Sequence, residues 1–201
     1  MTLDSLRPLA DRLLEPFVAG ARRLGLTPAA VSVVAFLFAL GAGVAFYLAG
    51  AADWWYAVGA ALVFLNGSLD LLDGALARDL GTASAGGDLL DHVLDRYADV
   101  AVIGGLAAGI EAYALGFAAV TGVLLTSYLG TQAEAVGLER VYGGLLGRAD
   151  RLALVGATGV VAAVRPEVRG VSLVAALLVL FAVVGHLTAV QRFASALRAL
   201  S

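Results

Sequence analysis

Asp70, Asp73, Asp91 and Asp95 are the residues of this chain whose type and spacing carry chemistry. Asp70 and Asp73 stand at i, i+3 and Asp91 and Asp95 at i, i+4, so on helices each pair shares one face. Their neighbours are mostly Leu, Ala, Val and Gly. A carboxylate inside an apolar helix costs roughly 2.5 to 3.5 kcal/mol even on lenient insertion scales, and such residues line a site rather than face lipid. The chain has no Cys, and neither of its His residues stands at ligand spacing to these acids. Oxygen donors therefore dominate, which suits hard cations such as Mg²⁺ or Mn²⁺ that keep positions open for phosphate oxygens. Asn66, Asp70, Asp73 and Ala77 form one stripe with Gly74 beside it, and Gly87, Asp91, Asp95 and Asp99 form a second. Small residues beside acids let a bulky polar ligand approach the backbone. The pattern predicts a cation-assisted site for a diphosphate.

The elements that must position these acids are membrane helices. The chain has 201 residues, 61% hydrophobic and only 14% charged, with a mean hydropathy of +0.91. That composition predicts an all-α polytopic membrane protein rather than a soluble globule. At about 20 residues per span, six spans consume most of residues 27–201, and the whole chain, 1–201, reads as one membrane domain without room for a soluble catalytic one. The net charge of -3 names no nucleic-acid partner. Without Cys there is no disulfide framework or thiolate metal site. A long charged segment precedes the first apolar run, so the first span is expected to act as its own insertion signal.

Residues 1–26 carry Leu6, Leu9, Leu13, Phe17, Ala21 and Leu24 at helical steps, with Asp4, Arg7, Asp11, Arg12, Glu15 and Arg22 largely between them. This predicts an amphipathic helix in the interface plane, with Pro16 as a candidate bend. Thr27-Pro28 reads as N-cap and first helical residue. The expected spans are 28–48, 54 into the first acidic stretch, 87–110, 112–135, 151–164 and 170–197. Gly81, Thr82, Ser84 and Gly86 mark a loop between the two acidic stretches, Arg165 to Arg169 a later turn. In this layout Arg7, Arg12, Arg22, Arg23, Arg78, Arg140, Arg148, Arg151, Arg192 and Arg198 fall on one side, and Arg165 and Arg169 on the other. The positive-inside rule then puts both termini and the acidic cluster in the cytoplasm. Tyr47, Trp54, Trp55, Tyr56 and Tyr113 form an aromatic belt at the opposite face.

The string D-x-x-D-G-x-x-A-R-x8-G-x-x-x-D-x-x-x-D, filled by Asp70, Asp73, Gly74, Ala77, Arg78, Gly87, Asp91 and Asp95, resembles the signature of the CDP-alcohol phosphotransferases. These are integral membrane enzymes that make phospholipid head-group linkages, and the six-span layout with an N-terminal interfacial helix extends the resemblance over essentially the whole chain. The resemblance implies a pair of divalent cations, Mg²⁺ or Mn²⁺, held by Asp70, Asp73 and Asp91 with Asp95 contributing. It implies nucleotide contacts from Gly74, Ala77, Arg78 and Gly87, with Asn66 grouped with them, and Asp95 as general base. A CDP-linked lipid, with diacylglycerol or archaeol tails, would then pass its phosphate to a polar alcohol and release CMP. A homodimer is likewise implied.

The stretch Asp95-Arg96-Tyr97-Ala98-Asp99 is similar to the branch that accepts inositol phosphate. Arg148 and Arg151 resemble that branch's element for the acceptor phosphate, a role suited to bidentate guanidinium contacts. Where that branch places basic residues before Ala133-Glu134-Ala135, this chain has Leu129-Gly130-Thr131-Gln132, so glycerol phosphate, serine and free inositol stay open as acceptors. Arg96 and Asp99 read as an ion pair or supporting layer, and His92 and His186 as hydrogen-bonded packing residues. Gly105-x-x-x-Gly109 is compatible with helix packing. A cation or proton transporter is the reading from a different class; against it, all the acids lie at one membrane end.

Overall fold

The computed structural model describes residues 7–138 and 146–200, with side-chain environments from residue 13 onward. Asp4, Leu6, Glu139, Arg140, Gly143 and Gly144 lie outside the described residues, as do the side chains of Arg7, Leu9, Asp11 and Arg12. The described elements are α1 (Arg7–Arg23), α2 (Pro28–Leu48), α3 (Trp54–Leu80), α4 (Ala85–Gly109), α5 (Tyr113–Ala135), α6 (Arg148–Ala162), β1 (Glu167–Val168), β2 (Val171–Ser172) and α7 (Leu173–Leu200). Among the described residues the protein is an all-α membrane protein save for one small hairpin. Helices α2, α3, α5 and α7 are long and apolar enough to cross a membrane. Helix α4 has the length, at 25 residues, but carries Asp88, Asp91, Asp95, Arg96 and Asp99. Helix α6 has 15 residues and at 1.5 Å per residue reaches about 22 Å, short of a hydrocarbon core of about 30 Å.

Local chemistry sets the helix ends. Thr27 caps α2, its Oγ1 accepting from the Ala30 N–H at 3.2 Å, and Pro28 opens the helix as expected. Helix α3 stops at Gly81, whose φ of +63° is costly for any residue with a Cβ. The Gly81 and Thr82 N–H groups return to the carbonyls of Arg78 and Ala77 at 3.2 and 3.1 Å, closing a Schellman motif. Three residues later the Ser84 hydroxyl accepts from the Gly87 N–H at 3.2 Å and starts α4. This short reversal puts both acidic stretches at one end of the bundle. Helix α6 begins at Arg148, three residues before the expected Arg151, because the Asp150 carboxylate accepts from the Gly147 N–H at 2.9 Å and fixes the first turn there. The turn expected at Arg165 to Arg169 is a hairpin in which Arg169 (φ 54°) and Gly170 (φ 78°) are both left-handed, as a type I′ turn requires. Helix α7 therefore starts at Leu173 rather than Gly170.

Helix α2 is the hub, packed on both α3 and α4, which have little direct contact with each other. Its approach to α4 is backbone to backbone. A Cβ on Gly43 would lie 2.5 Å from the Ala101 carbonyl, and one on Gly105 or Gly109 would collide with the carbonyl of Gly43 or Phe46. Ala39, Ala42, Phe46, Val102, Ile103 and Leu106 close the core around this contact. Leu37, Phe64, Phe117, Val160 and Val190 stay exposed, an outer surface suited to hydrocarbon. Gly105→Ala is expected to cost about 1 to 3 kcal/mol by overpacking. Gly104→Ala should melt like the parent, since nothing lies within 4 Å of a Cβ there. Thermal melts of the two variants in detergent check this pair.

Candidate active site

Three helices converge on the acids. Helix α3 supplies Asn66, Asp70, Asp73, Gly74, Ala77 and Arg78; α4 supplies Gly87, Asp91, Asp95, Arg96 and Asp99; and α6 supplies Arg148 and Arg151. Because α3 and α4 are spaced by their common partner α2 and not packed on each other, the acids face one another across a gap. Exposure grades along α4. Gly87 lies in the open, Asp91 and Asp95 are half-buried and Asp99 is buried, so the site opens at the end where α3 finishes and α4 begins.

Asp70, Asp91 and Asp95 each place a carboxylate oxygen within 4.8 Å of the other two. Around an octahedral Mg²⁺ oxygens are about 2.9 Å apart when adjacent and about 4.2 Å when opposite, so the three acids would draw together to share one ion. Asp73 is not in that group: its Oδ2 accepts from the Ser32 hydroxyl of α2 at 2.6 Å. Arg148 reaches into the cluster, pairing with Asp70 and with Asp95, the latter at 2.6 Å. Arg151 is buried one turn further on, with Nη2 3.2 Å from Asp99 Oδ2. Arg96 lies 3.6 Å from Asp95 and 3.5 Å from Asp99 and donates to the Ser127 hydroxyl of α5. The expected Arg96–Asp99 pair is present, and Arg151 joins it.

The carboxylates of Asp70, Asp73, Asp91, Asp95 and Asp99 outnumber the guanidiniums of Arg96, Arg148 and Arg151 by two. Unbalanced charge in a low-dielectric setting is costly. An all-oxygen cluster with that excess, already binding one cationic side chain through two of its members, fits divalent hard cations.

Among the residues expected to meet the nucleotide, Gly74 lies beside Arg78, whose Nη1 would be 3.4 Å from a Cβ on Gly74. Ala77 is half-buried, and Arg78 and Gly87 are exposed at the open end. Arg78 also lines a cavity of about 750 Å³ between α1 and α3, with Glu15, Arg22, Arg23 and Asp79. Asn66 is only 2% exposed, and its Nδ2 donates to the Ala35 carbonyl at 2.9 Å, tying α3 to α2. His92 Nδ1 meets the Asp88 carbonyl at 2.8 Å, and His186 Nε2 the Ala118 carbonyl at 3.2 Å, the packing roles expected of both.

The pattern of the motif helices does not disclose Ser32, Ser127 or Arg192. Arg192 of α7 donates to the Thr126 carbonyl at 2.6 Å. Ser32 lies 41 residues from Asp73, and its only local signal is a hydroxyl one turn into an otherwise apolar helix. Ser32→Ala should weaken cation binding by about 10 to 100-fold, the usual cost of losing a group that holds a ligand carboxylate. Titration with Mn²⁺ followed by electron paramagnetic resonance reads this directly, and unchanged affinity would separate Asp73 from the cation site.

A sequence profile of the CDP-alcohol phosphatidyltransferases matches residues 25–188. An archaetidylinositol phosphate synthase from Methanothermobacter thermautotrophicus is 34% identical over 154 residues, covering 76% of this chain and 74% of its own. The crystal structure of Mycobacterium tuberculosis phosphatidylinositol phosphate synthase with CDP-DAG bound superposes with a TM-score of 0.78 at 28% identity, covering 92% of this chain and 94% of that one. The same enzyme in complex with manganese and citrate gives a TM-score of 0.77 at 30% identity, covering 90% and 87%.

Proposed function

The chain belongs to the CDP-alcohol phosphatidyltransferase family, and from that premise we propose that it transfers a lipid phosphate group from a CDP-linked lipid to inositol phosphate, releasing CMP. The observation that carries the reading is the meeting of Asp70, Asp91 and Asp95 with Arg148 at the open end of the bundle. The inositol-phosphate acceptor is supported by the relatives that bear that activity in their names and by two arginines, Arg148 and Arg151, next to the acids.

In this reading Asp70, Asp91 and Asp95 hold one divalent cation, and Asp73, steadied by Ser32, serves a second. When bound, Mg²⁺ or Mn²⁺ neutralises the diphosphate and stabilises the departing CMP. Two divalent cations and a doubly charged diphosphate together add two positive charges, which offsets the excess of the acids over the arginines. Gly74, Ala77 and Gly87 let the cytidine nucleotide lie against backbone, and Arg78 closes over it. Asn66 keeps α3 in register with α2. Asp95 accepts the proton of the acceptor hydroxyl as that oxygen bonds to the lipid-linked phosphorus and the bond to CMP breaks. Arg148 and Arg151 receive the acceptor's phosphate.

Six membrane segments, α2 to α7, of which α6 crosses only with the residues that flank it, and α1 in the interface plane complete the picture as a single domain over 1–201. Both termini and the site face the cytoplasm. The exposed Tyr47, Trp54 and Tyr113 mark the interface at the far ends of α2, α3 and α5, and Arg22, Arg23, Arg78, Arg148, Arg192 and Arg198 on the site's side support that orientation. The functional unit is a homodimer, and the donor's tails, diacylglycerol or archaeol, lie along the apolar surface. The stretch Leu129-Gly130-Thr131-Gln132, without the basic residues expected there, favours as second reading the same reaction with glycerol phosphate, serine or free inositol.

A panel of these acceptors with purified protein, Mg²⁺ and CDP-diacylglycerol or CDP-archaeol, read by CMP release, decides among them. Inositol phosphate is expected to support turnover. Equal incorporation of free inositol would remove the role given to the arginine pair.

A further inference from the structure

Between α5, α6 and α7, behind Arg151 and away from the Asp70 cluster, lies a cavity of about 10 Å³ lined by Thr126, Leu146, Arg151, Phe181, Gly185 and Thr188, among others. That is the volume of about one water. Arg151 is held from one side by Asp99, but its buried Nε has no hydrogen-bond partner among the described residues. Thr188 is 2% exposed and lines the same cavity. Thr126 Oγ1 donates toward the carbonyls of Gly122 and Gly185, at 2.9 and 2.8 Å, and retains a lone pair. Arg151, with its orphaned Nε, and the hydroxyl-bearing Thr126 and Thr188 thus line a space of about one water, in a region where unsatisfied polar groups cost about 1 to 3 kcal/mol each. A water there accepts from Arg151 Nε and donates to Thr126 and Thr188, the number of partners usual for a buried water.

We propose that Thr188 is a positioning residue for acceptor binding: through one buried water it fixes Arg151, so that Nη1 and the second N–H of Nη2 are presented to the acceptor's phosphate. The inference rests on the acceptor-phosphate role given to Arg151 above. A guanidinium tethered at Nη2 alone can swing about that contact. A second tether at Nε fixes its plane, and bidentate recognition of a phosphate depends on that plane. Thr188 touches no substrate, and the nucleotide side of the site is untouched by its loss.

Steady-state kinetics with inositol phosphate and CDP-lipid test this. Thr188→Val, which keeps the volume and removes the hydroxyl, is expected to raise the KM for inositol phosphate about tenfold while the KM for CDP-lipid stays put. Thr188→Ser is expected to restore the parent value. In an Arg151→Lys background Thr188→Val should add nothing, since it acts through the guanidinium plane. An unchanged acceptor KM in Thr188→Val, parallel changes in both KM values, or effects that multiply in the double variant would each overturn the proposal. If Thr188→Val does not fold, Thr126→Ser and Thr126→Val make the same comparison from the other side of the cavity. Arg151→Gln separates the two levels: an unchanged acceptor KM there defeats the role of Arg151, whereas a raised KM with a silent Thr188→Val defeats only the water-mediated positioning.

Discussion

Asp95→Asn is expected to lower CMP release by about 10²- to 10⁴-fold, the range that a positioned general base contributes. Asn has nearly the same volume and still fits between Arg148 and Arg96, but it cannot take a proton from the acceptor hydroxyl. Asp95 is the acid best set for that task. It lies at the junction of the cation cluster and the arginines, with Arg148 2.6 Å from one oxygen and Arg96 3.6 Å from the other, and it is half-buried where a bound acceptor would exclude water. Because Asp95 also serves the cation, the assay is run at saturating Mg²⁺, where the loss should appear in kcat with CDP-lipid still binding. Because the substitution also frees Arg148 from one of its two carboxylates, a thermal melt accompanies the kinetics. Turnover at the parent rate in a folded Asp95→Asn protein would rule out Asp95 as the base.

The second large effect is expected at Asp91. Among the described residues it is the member of the three-acid group that no arginine pairs with directly, so its oxygens are the least committed of the three. Asp91→Asn should weaken Mn²⁺ binding by more than the 10- to 100-fold typical of a supporting residue, and CMP release should fall with it and recover in part as Mn²⁺ is raised. Electron paramagnetic resonance of Mn²⁺ gives the affinity independently of turnover. Chelation of the parent protein should reproduce the loss of activity, reversed on adding Mg²⁺ or Mn²⁺. Parent-like Mn²⁺ affinity in Asp91→Asn would show that the cluster of Asp70, Asp91 and Asp95 is not where the ion sits.

These two expectations draw on different kinds of information. That Asp70, Asp73, Asp91 and Asp95 are the reactive groups is legible in the chain itself, because acids at helical spacing in an apolar run are energetically anomalous and flanked by Gly and Ala that leave room for a ligand. The helices were legible for a related reason: Thr27-Pro28, Gly81 and Ser84 act within three or four residues of themselves, so their effect on the chain is local. The six-span layout was less so, since length and composition qualify α2, α3, α5 and α7, while α4 carries the site's own charges and α6 is short. The start of α6 moved to Arg148 through the Asp150 carboxylate, and α7 was delayed to Leu173 by a hairpin whose two positive φ values involve a non-glycine, Arg169, that advertises no turn.

Residue types and short-range spacing by themselves determined the membrane class, the Thr27-Pro28 cap, the loop between the two acidic stretches and the acids with their motif neighbours, because hydrophobic period, capping and charge cost act over a few residues. Only the tertiary structure decided which acids meet. It grouped Asp70, Asp91 and Asp95, turned Asp73 toward Ser32, carried Arg148 to Asp70 and Asp95, and set Arg151 against Asp99 with Thr188 behind it. Those contacts join residues dozens of positions apart on α2, α3, α4, α6 and α7. They accompany a close approach of α2 to α4 across Gly43 and Gly105; Gly105-x-x-x-Gly109 marks a packing face, but only the tertiary structure shows the helix that it meets.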